Sequence, residues 1–329
     1  MPSSKNEQPT ASAVPFDRNR LTKLTEWNLQ KKEQNMSGAD FLDILGTHFL
    51  ICTDKVEGNG EDSGLEYYNR CAGLIGAFDG CGGLGFKVSP AANNKTEAFL
   101  ASRSVGNALK LWFEHCCDSR KWDLDLLKQL ILINLEHCKA YSNDDSFVIK
   151  GTLLKSYPST LAAVVSYPKR KKIMTQHIWA GDSRTFILDI NGVGQVTRDD
   201  IRGGDAMVNL TNDGSLTNVV SLSGDFVLHS KTIELSRPSV LIAATDGCFG
   251  YVPSPMEFEY ILLSSLHQSG NSAEWQEILR EEFSSRSGDD QTIAVEAIGF
   301  ESFREMKKYF LNRCRYIGEI GAFLENDVD

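Results

Sequence analysis

Apolar and polar positions follow two different periods along this chain, and the changes of period mark its elements. Gly73-Leu74-Ile75-Gly76-Ala77-Phe78 is an unbroken apolar run that stops at Asp79 and a cluster of glycines. Leu161 to Tyr167 reads as a strand, Pro168 to Lys172 as a charged turn, and Ile173 to Ala180 as the returning strand. Arg184 to Ile190 follows and is closed by Asn191-Gly192, the strongest hairpin signal in the chain. Val240 to Ala244 and Thr292 to Ala297 are strands of the buried type. Successive hairpins with both faces rather apolar predict two stacked sheets covered from outside.

The cover has helical spacing. Phe99 to His115 and Leu124 to Tyr141 carry apolar residues three and four apart, the second placing Leu127, Leu130, Ile131, Leu135 and Cys138 on one side. Ser254-Pro255-Met256-Glu257 reads as a capping box with proline at the first helical position, opening a helix through Leu266. Ala273 to Phe283 predicts another. Phe303, Met306, Phe310, Cys314 and Ile317 form one stripe of a terminal helix expected to pack on the domain. Residues 1–39 read as a flexible arm with one loose helix at Leu21 to Lys31, residues 40–300 as one domain, and 301–329 as the packed terminal helix. No repeat, long linker or shift in composition divides the 40–300 stretch.

Composition narrows the class. The 329 residues are 41% hydrophobic and 24% charged, as in ordinary globular chains. The longest apolar runs, such as Leu130 to Ile133, are far short of the roughly 20 residues that cross a bilayer. A net charge of -10 argues against a general nucleic-acid binder. The polar start of the chain holds no apolar core of secretory length. The eight cysteines form no Cys-x-x-Cys pair, and most sit beside apolar residues, as Cys52, Cys71 and Cys138 do. They are expected to be buried free thiols in a reducing compartment, with the cytoplasm as the default. The vicinal Cys116 and Cys117 read as packing.

Candidate chemistry lies in aspartates at strand ends. Asp79 closes one strand, Asp246 follows another and precedes Gly247, Asp289 and Asp290 stand just before Thr292, and Asp182 lies between two strands. A sheet fixes such carboxylates through their backbone, and clustered acidic oxygens suit hard divalent cations. A lone Asp-Gly after a strand is usually a mere turn. The ordered recurrence of the pattern is what gives it weight.

These segments carry a resemblance. Phe78-Asp79-Gly80-Cys81-Gly82-Gly83 resembles the FDGHGG motif of the metal-dependent type-2C (PPM) serine/threonine protein phosphatases. Pro158 to Leu161 resembles their GST strand start, Ala180 to Arg184 their VGDSR, and Gln195 to Asp200 their QLTxDH. Thr245-Asp246-Gly247 is similar to SDG, and Gly288 to Thr292 to the DNxT or DDxT motif. The series runs in order from about Asp40 to Ala297.

The resemblance implies an α+β fold: a four-layer αββα sandwich of two antiparallel sheets flanked by helices, with a metal centre at one end. It implies two manganese or magnesium ions, with a third at a looser site. Asp79 bridges the pair, the Gly80 carbonyl binds the first ion, Asp246 and Asp289 complete the second, and Asp182 joins Asp246 at the third. Glu61-Asp62 resembles the acidic pair that holds metal-bound water. The implied reaction is attack of a metal-activated water on phosphoserine or phosphothreonine of a phosphoprotein, opposing a serine/threonine kinase, with no nucleic-acid or membrane partner.

Three positions depart from the family. Cys81 replaces the histidine associated with protonating the leaving alkoxide. Gly250 stands where many relatives carry a second aspartate, and Glu57 where the phosphate-binding arginine is expected. Lys55 and Arg70 are the candidate substitutes. The departures keep two alternatives open: a metal-binding pseudophosphatase that recognises phosphoproteins or scaffolds a partner, and a phosphohydrolase of small molecules.

Overall fold

The computed structural model describes residues 41–141, 156–169, 172–202 and 216–326. The arm expected over 1–39, with its helix at Leu21 to Lys31, lies outside the described residues, as do the turn positions 170–171. One sheet is ordered β1 (Leu45–Thr53), β12 (Gln291–Ile298), β11 (Ser239–Ala244), β8 (Arg184–Asp189), β9 (Gly192–Gln195). The second is ordered β10 (His229–Leu235), β7 (Lys172–Ala180), β6 (Leu161–Lys169), β3 (Gly73–Phe78), β2 (Ser63–Tyr68). Every neighbouring pair is antiparallel. A short ribbon of β4 (Val88–Ser89) and β5 (Lys95–Thr96) stands apart from both sheets.

Helices α1 (Glu97–Cys116) and α2 (Leu124–Tyr141) cover the second sheet. Helices α4 (Pro255–Gln268), α5 (Ser272–Ser284) and α6 (Phe303–Asn326) lie on the first sheet's side, and the single turn α3 (Asp246–Phe249) leads into them. The result is the four-layer αββα sandwich. Strands β3, β11 and β12 are buried at every position, because a sheet faces them on one side and helices on the other. That is why β3 and β11 are nearly continuous apolar runs rather than alternating ones, while β12 also buries Gln291, Thr292 and Glu296. Between the sheets lie Ile75, Ala77, Val164, Leu241, Ala243 and Ala294. Outside the first sheet, Trp275 of α5 meets Phe49 of β1 edge-on at 5.1 Å, amid Leu262, Leu266 and Phe310.

The helix signals carry their expected chemistry. Ser254 Oγ accepts the Glu257 N–H at 3.2 Å with Pro255 at the first position of α4, satisfying one orphan donor of that helix end. Met306, Phe310 and Ile317 of α6 are buried, and Arg313 grips the buried Glu259 of α4 through Nε–Oε1 at 2.6 Å and Nη2–Oε2 at 3.0 Å.

Some expectations need correction. The hairpin closes one residue earlier than Asn191-Gly192: β8 ends at Asp189, which pairs with Gly192, so Ile190 and Asn191 form the turn. Pro168 and Lys169, expected in a turn, extend β6 and pair with Ile173 and Lys172. Strands β1, β2 and β10 have no sequence-based prediction. Each lies at a sheet edge, where partial exposure breaks up the apolar run. None of the eight cysteines is in a disulfide, but Cys52 is exposed and Cys71 and Cys138 are half-exposed; burial holds for Cys116, Cys117 and Cys248. Flanking apolar residues mislead at Cys52, since neighbours along a strand point to opposite faces.

One buried acid has no part in the strand-end cluster. Glu296 of β12 is fully buried between the sheets, with Oε1 accepting the Ser166 hydroxyl and Oε2 without a protein partner. Burial pushes its carboxyl up to about 7. A raised carboxyl contributes stability that is full below the ordinary carboxylate range and lost as pH climbs toward 7. Glu296→Gln is therefore expected to gain about 2–3 kcal/mol over wild type between pH 5 and pH 8. Melting temperatures of both proteins at the two pH values check this; an equal difference at both would contradict it.

Candidate active site

Antiparallel pairing brings the motif ends to one pole. Ser63 pairs with Phe78, Leu161 with Ala180, Thr53 with Gln291, and Ala244 with both Arg184 and Ile293. The residues just beyond these pairs are Asp62, Asp79, Asp182, Asp246 and the Asp289-Asp290 pair. Arg70 is not among them. It follows Tyr68, which pairs with Gly73 at the opposite end of the β2–β3 hairpin, so Arg70 does not replace the missing arginine. Lys55 is on the correct side, in the exposed loop after β1.

Two buried threonines set the acids in place. Thr160 Oγ1 accepts the Asp79 N–H at 3.0 Å and shares a hydrogen bond with Ser183 at 2.6 Å, tying the loops of Asp79 and Asp182 together. Thr245 Oγ1 donates to Asp62 Oδ2 at 2.7 Å and accepts the Thr292 N–H at 2.9 Å. It thereby couples the acidic pair to the strand ends that carry Asp246 and Asp289. The Gln195 to Asp200 segment is scaffold for Asp182. Asp199 receives the Arg184 guanidinium at 2.6 Å, and Asp200 Oδ2 accepts the Gly181 N–H at 3.1 Å.

Two glycines are required by close approach. A Cβ on Gly80 would stand 2.6 Å from the Ala98 carbonyl and 2.7 Å from that of Glu61. A Cβ on Gly247 would stand 1.8 Å from the Asp290 carbonyl. Any side chain at Gly247 would thus drive apart the ends of β11 and β12, and with them Asp246 and Asp289.

Electrostatics shows which acids share the site. Burial raises Asp79 well above the usual carboxylate range, and Asp62, Asp246 and Asp182 add to the shift in that order. Burial and Asp246 push Asp62 up to about 8, and the same two causes push Asp182 up to about 7. Asp62 and Asp79 act on each other, and Asp62 is the largest contributor after burial to the rise at Asp79. Glu61 is raised by burial and by Asp290 and Asp289, while its carboxylate accepts the Thr96 hydroxyl. Asp289 is exposed at the rim and accepts the Asp290 N–H at 2.9 Å. The Asp290 carboxylate accepts the N–H groups of Lys55 at 2.7 Å and Glu61 at 2.8 Å. Gly250 ends α3 with its N–H on the Asp246 carbonyl and brings no carboxylate.

Among the described residues, no three histidine, cysteine, aspartate or glutamate side chains stand close enough to hold a metal as they are. The donor set nonetheless fits a hard divalent cation. Asp62, Asp79, Asp182 and Asp246 offer only oxygen and crowd one another electrostatically, a repulsion that a bound cation would relieve. Cys81 lies beside them. Its Sγ points at the Asp79 carbonyl at 3.9 Å, and burial together with Asp79, Asp182 and Asp246 holds its thiol well above the usual range, so it stays protonated.

No protein-family model matches the chain, and no curated protein matches it by sequence. Solved structures do match its fold. The serine/threonine phosphatase Stp1 of Staphylococcus aureus aligns over 81% of this chain and 99% of its own, at 18% identity and a TM-score of 0.55. PstP/Ppp of Mycobacterium tuberculosis aligns over 77% and 99%, at 18% identity and 0.53. The PPM phosphatase MsPP of Mycobacterium smegmatis aligns over 78% and 100%, at 15% identity and 0.50. The architecture is that of bacterial PPM serine/threonine phosphatases.

Proposed function

We propose that this chain is a cation-dependent phosphatase of phosphoserine and phosphothreonine in proteins, opposing a serine/threonine kinase. The observation that carries the reading is the set Asp62, Asp79, Asp182 and Asp246, gathered at one pole by strand ends, with the first three raised by burial and by the charge of Asp246. Carboxylates are costly to crowd without a counter-charge, and a phosphate dianion cannot approach them unaided. Asp79, Asp246 and Asp62 would hold the cations from inside, with the Gly80 carbonyl, Glu61 and Asp289 beside them and Asp182 at the looser position. When bound, manganese or magnesium supplies Lewis acidity to water and to phosphoryl oxygens. Thr245 orients the Asp62 carboxylate and Thr160 holds the Asp79 backbone, and Asp62, with Glu61, would accept hydrogen bonds from an attacking water.

Cys81 shapes which esters are cleaved. A serine or threonine alkoxide leaves poorly without a proton, and general acid catalysis is worth about a hundred- to ten-thousand-fold. Beside bound cations a thiol would be drawn toward the thiolate, which has no proton to give. Aryl phosphates, whose phenolates need little help, should be hydrolysed disproportionately well. The test is steady-state kinetics on one phosphoserine peptide and one aryl phosphate, with and without manganese, for wild type, Cys81→Ala and Cys81→His. The expected pattern is manganese-dependent turnover, little change on Ala, and a gain on His larger for the peptide than for the aryl ester. Turnover that survives rigorous metal removal would overturn the mechanism. Phosphopeptide binding without turnover would favour the pseudophosphatase reading, to which the Cys81 and Glu57 departures lend support. Cleavage confined to small phosphates would identify a small-molecule phosphohydrolase.

A further inference from the structure

We infer that Arg103 of α1 is a positioning residue that holds the Glu61–Asp62 pair in the site against the repulsion of the other carboxylates. The inference rests on the reading of this pole as a cation-dependent centre. Helix α1 and the two residues before it grip the segment 58–61 at successive points. Lys95 donates to the Gly58 carbonyl and Thr96 to the Glu61 carboxylate. Ser102 Oγ donates to the Glu61 carbonyl at 2.5 Å, and Arg103 Nη1 reaches the same carbonyl at 3.2 Å. Arg103 Nη2 reaches the Gly60 carbonyl at 3.2 Å.

The guanidinium is held over the Phe99 ring. Its Cζ lies 3.4 Å from the centre of the Phe99 ring, which also has Lys95 Nζ at 4.7 Å, and Nη1 is anchored on the Phe99 carbonyl at 3.1 Å. A stacked planar fork can serve two successive carbonyls at once, whereas an ammonium presents a point charge. On the other side of the segment, Asp290 holds the N–H groups of Lys55 and Glu61. The acidic pair is thus carried on a strap fastened at both edges. Burial lowers Arg103, but Asp54, Asp62 and Asp290 draw it the other way, which ties its charge to the same acids. Residues 58–61 carry no basic side chain of their own, and Arg103 brings a guanidinium to them from α1.

The direction of one binding change separates positioning from simple charge. By Coulomb's law alone, deleting a cation beside carboxylates should tighten manganese binding. Loss of a clamp should weaken it, because Glu61 and Asp62 are no longer held beside Asp79. Titration calorimetry with manganese on wild type, Arg103→Gln and Arg103→Lys is expected to show roughly tenfold weaker binding for Gln and an intermediate value for Lys. Hydrogen exchange of the metal-free proteins is expected to be faster across residues 54–62 in Arg103→Gln, with the β11 and β12 amides unchanged. Unchanged exchange in that segment would overturn the clamp, and equal or tighter manganese binding would overturn its bearing on the site. If wild type itself binds no manganese, the reading of the site fails, and the exchange measurement still decides whether Arg103 holds the strap.

Discussion

Without divalent cations, this protein is expected to melt at progressively lower temperature as pH rises from 5 to 8, and manganese should cancel most of that loss. Asp62 is raised to about 8, Asp182 to about 7, and Asp79 and Glu61 are raised as well. Each carboxyl folds more favourably with its proton than without it. Its stabilising share is full below the ordinary carboxylate range and disappears as pH climbs through the folded value. One pKa unit corresponds to about 1.4 kcal/mol, so even strongly coupled shifts of this size imply on the order of 5 kcal/mol across the window. For a domain of this length that is a fall of about 10 °C or more. Manganese competes with those protons, so its stabilising effect should grow with pH and proton release should accompany binding. Thermal melts at pH 5, 6, 7 and 8 with chelator and with manganese check this. A metal-free melting temperature that is flat or rising over the window would show that the carboxylates are not crowded. Part of the slope belongs to Glu296, far from the cation site, and Glu296→Gln should remove that part alone.

Asp79→Asn should abolish turnover while leaving the metal-free protein at least as stable as wild type. Asp79 lies deepest in the electrostatics of the site, raised by three other aspartates, and the resemblance places it between both cations. A neutral amide removes the cost of keeping a buried carboxyl protonated, or charged, beside Asp62, Asp182 and Asp246. The backbone support from Thr160 is untouched, since Thr160 accepts from the Asp79 N–H. Activity should fall at least a thousandfold, because an interaction made in the transition state is lost outright. Saturating manganese stabilises wild type by about 2.7 kcal/mol at a hundred times its Kd, and the variant should lose most of that gain. Parallel melts and initial rates of the two proteins decide. A variant melting far below metal-free wild type would refute the repulsion account, whatever its activity.

The sequence by itself determined the sandwich and the identity of its acids. A strand buried on both faces is written as a nearly continuous apolar run, and β3, β11 and the centre of β12 are of that kind, so their ends could be located and the aspartates beyond them read off. Helix periods, the Ser254 cap and the order of the short motifs did the rest. What escaped the sequence was set by contacts between distant segments. Edge strands β1, β2 and β10 alternate too weakly to be told from loops. The Asp290 carboxylate binds the Glu61 amide 229 positions away, and Thr245 binds Asp62 183 positions away; neither pairing leaves a local trace. Arg103 sits in an ordinary amphipathic helix and acts on the site only because α1 packs across the 58–61 strap. Arg70 is nearer to the motifs along the chain than in space, since a six-residue strand separates it from them. Local periodicity records how deeply each residue is buried, and that is enough to specify layers and strand ends. Which carboxylate faces which, and which cation restrains them, depends on how strands pair and helices cross, and only the tertiary structure decided it.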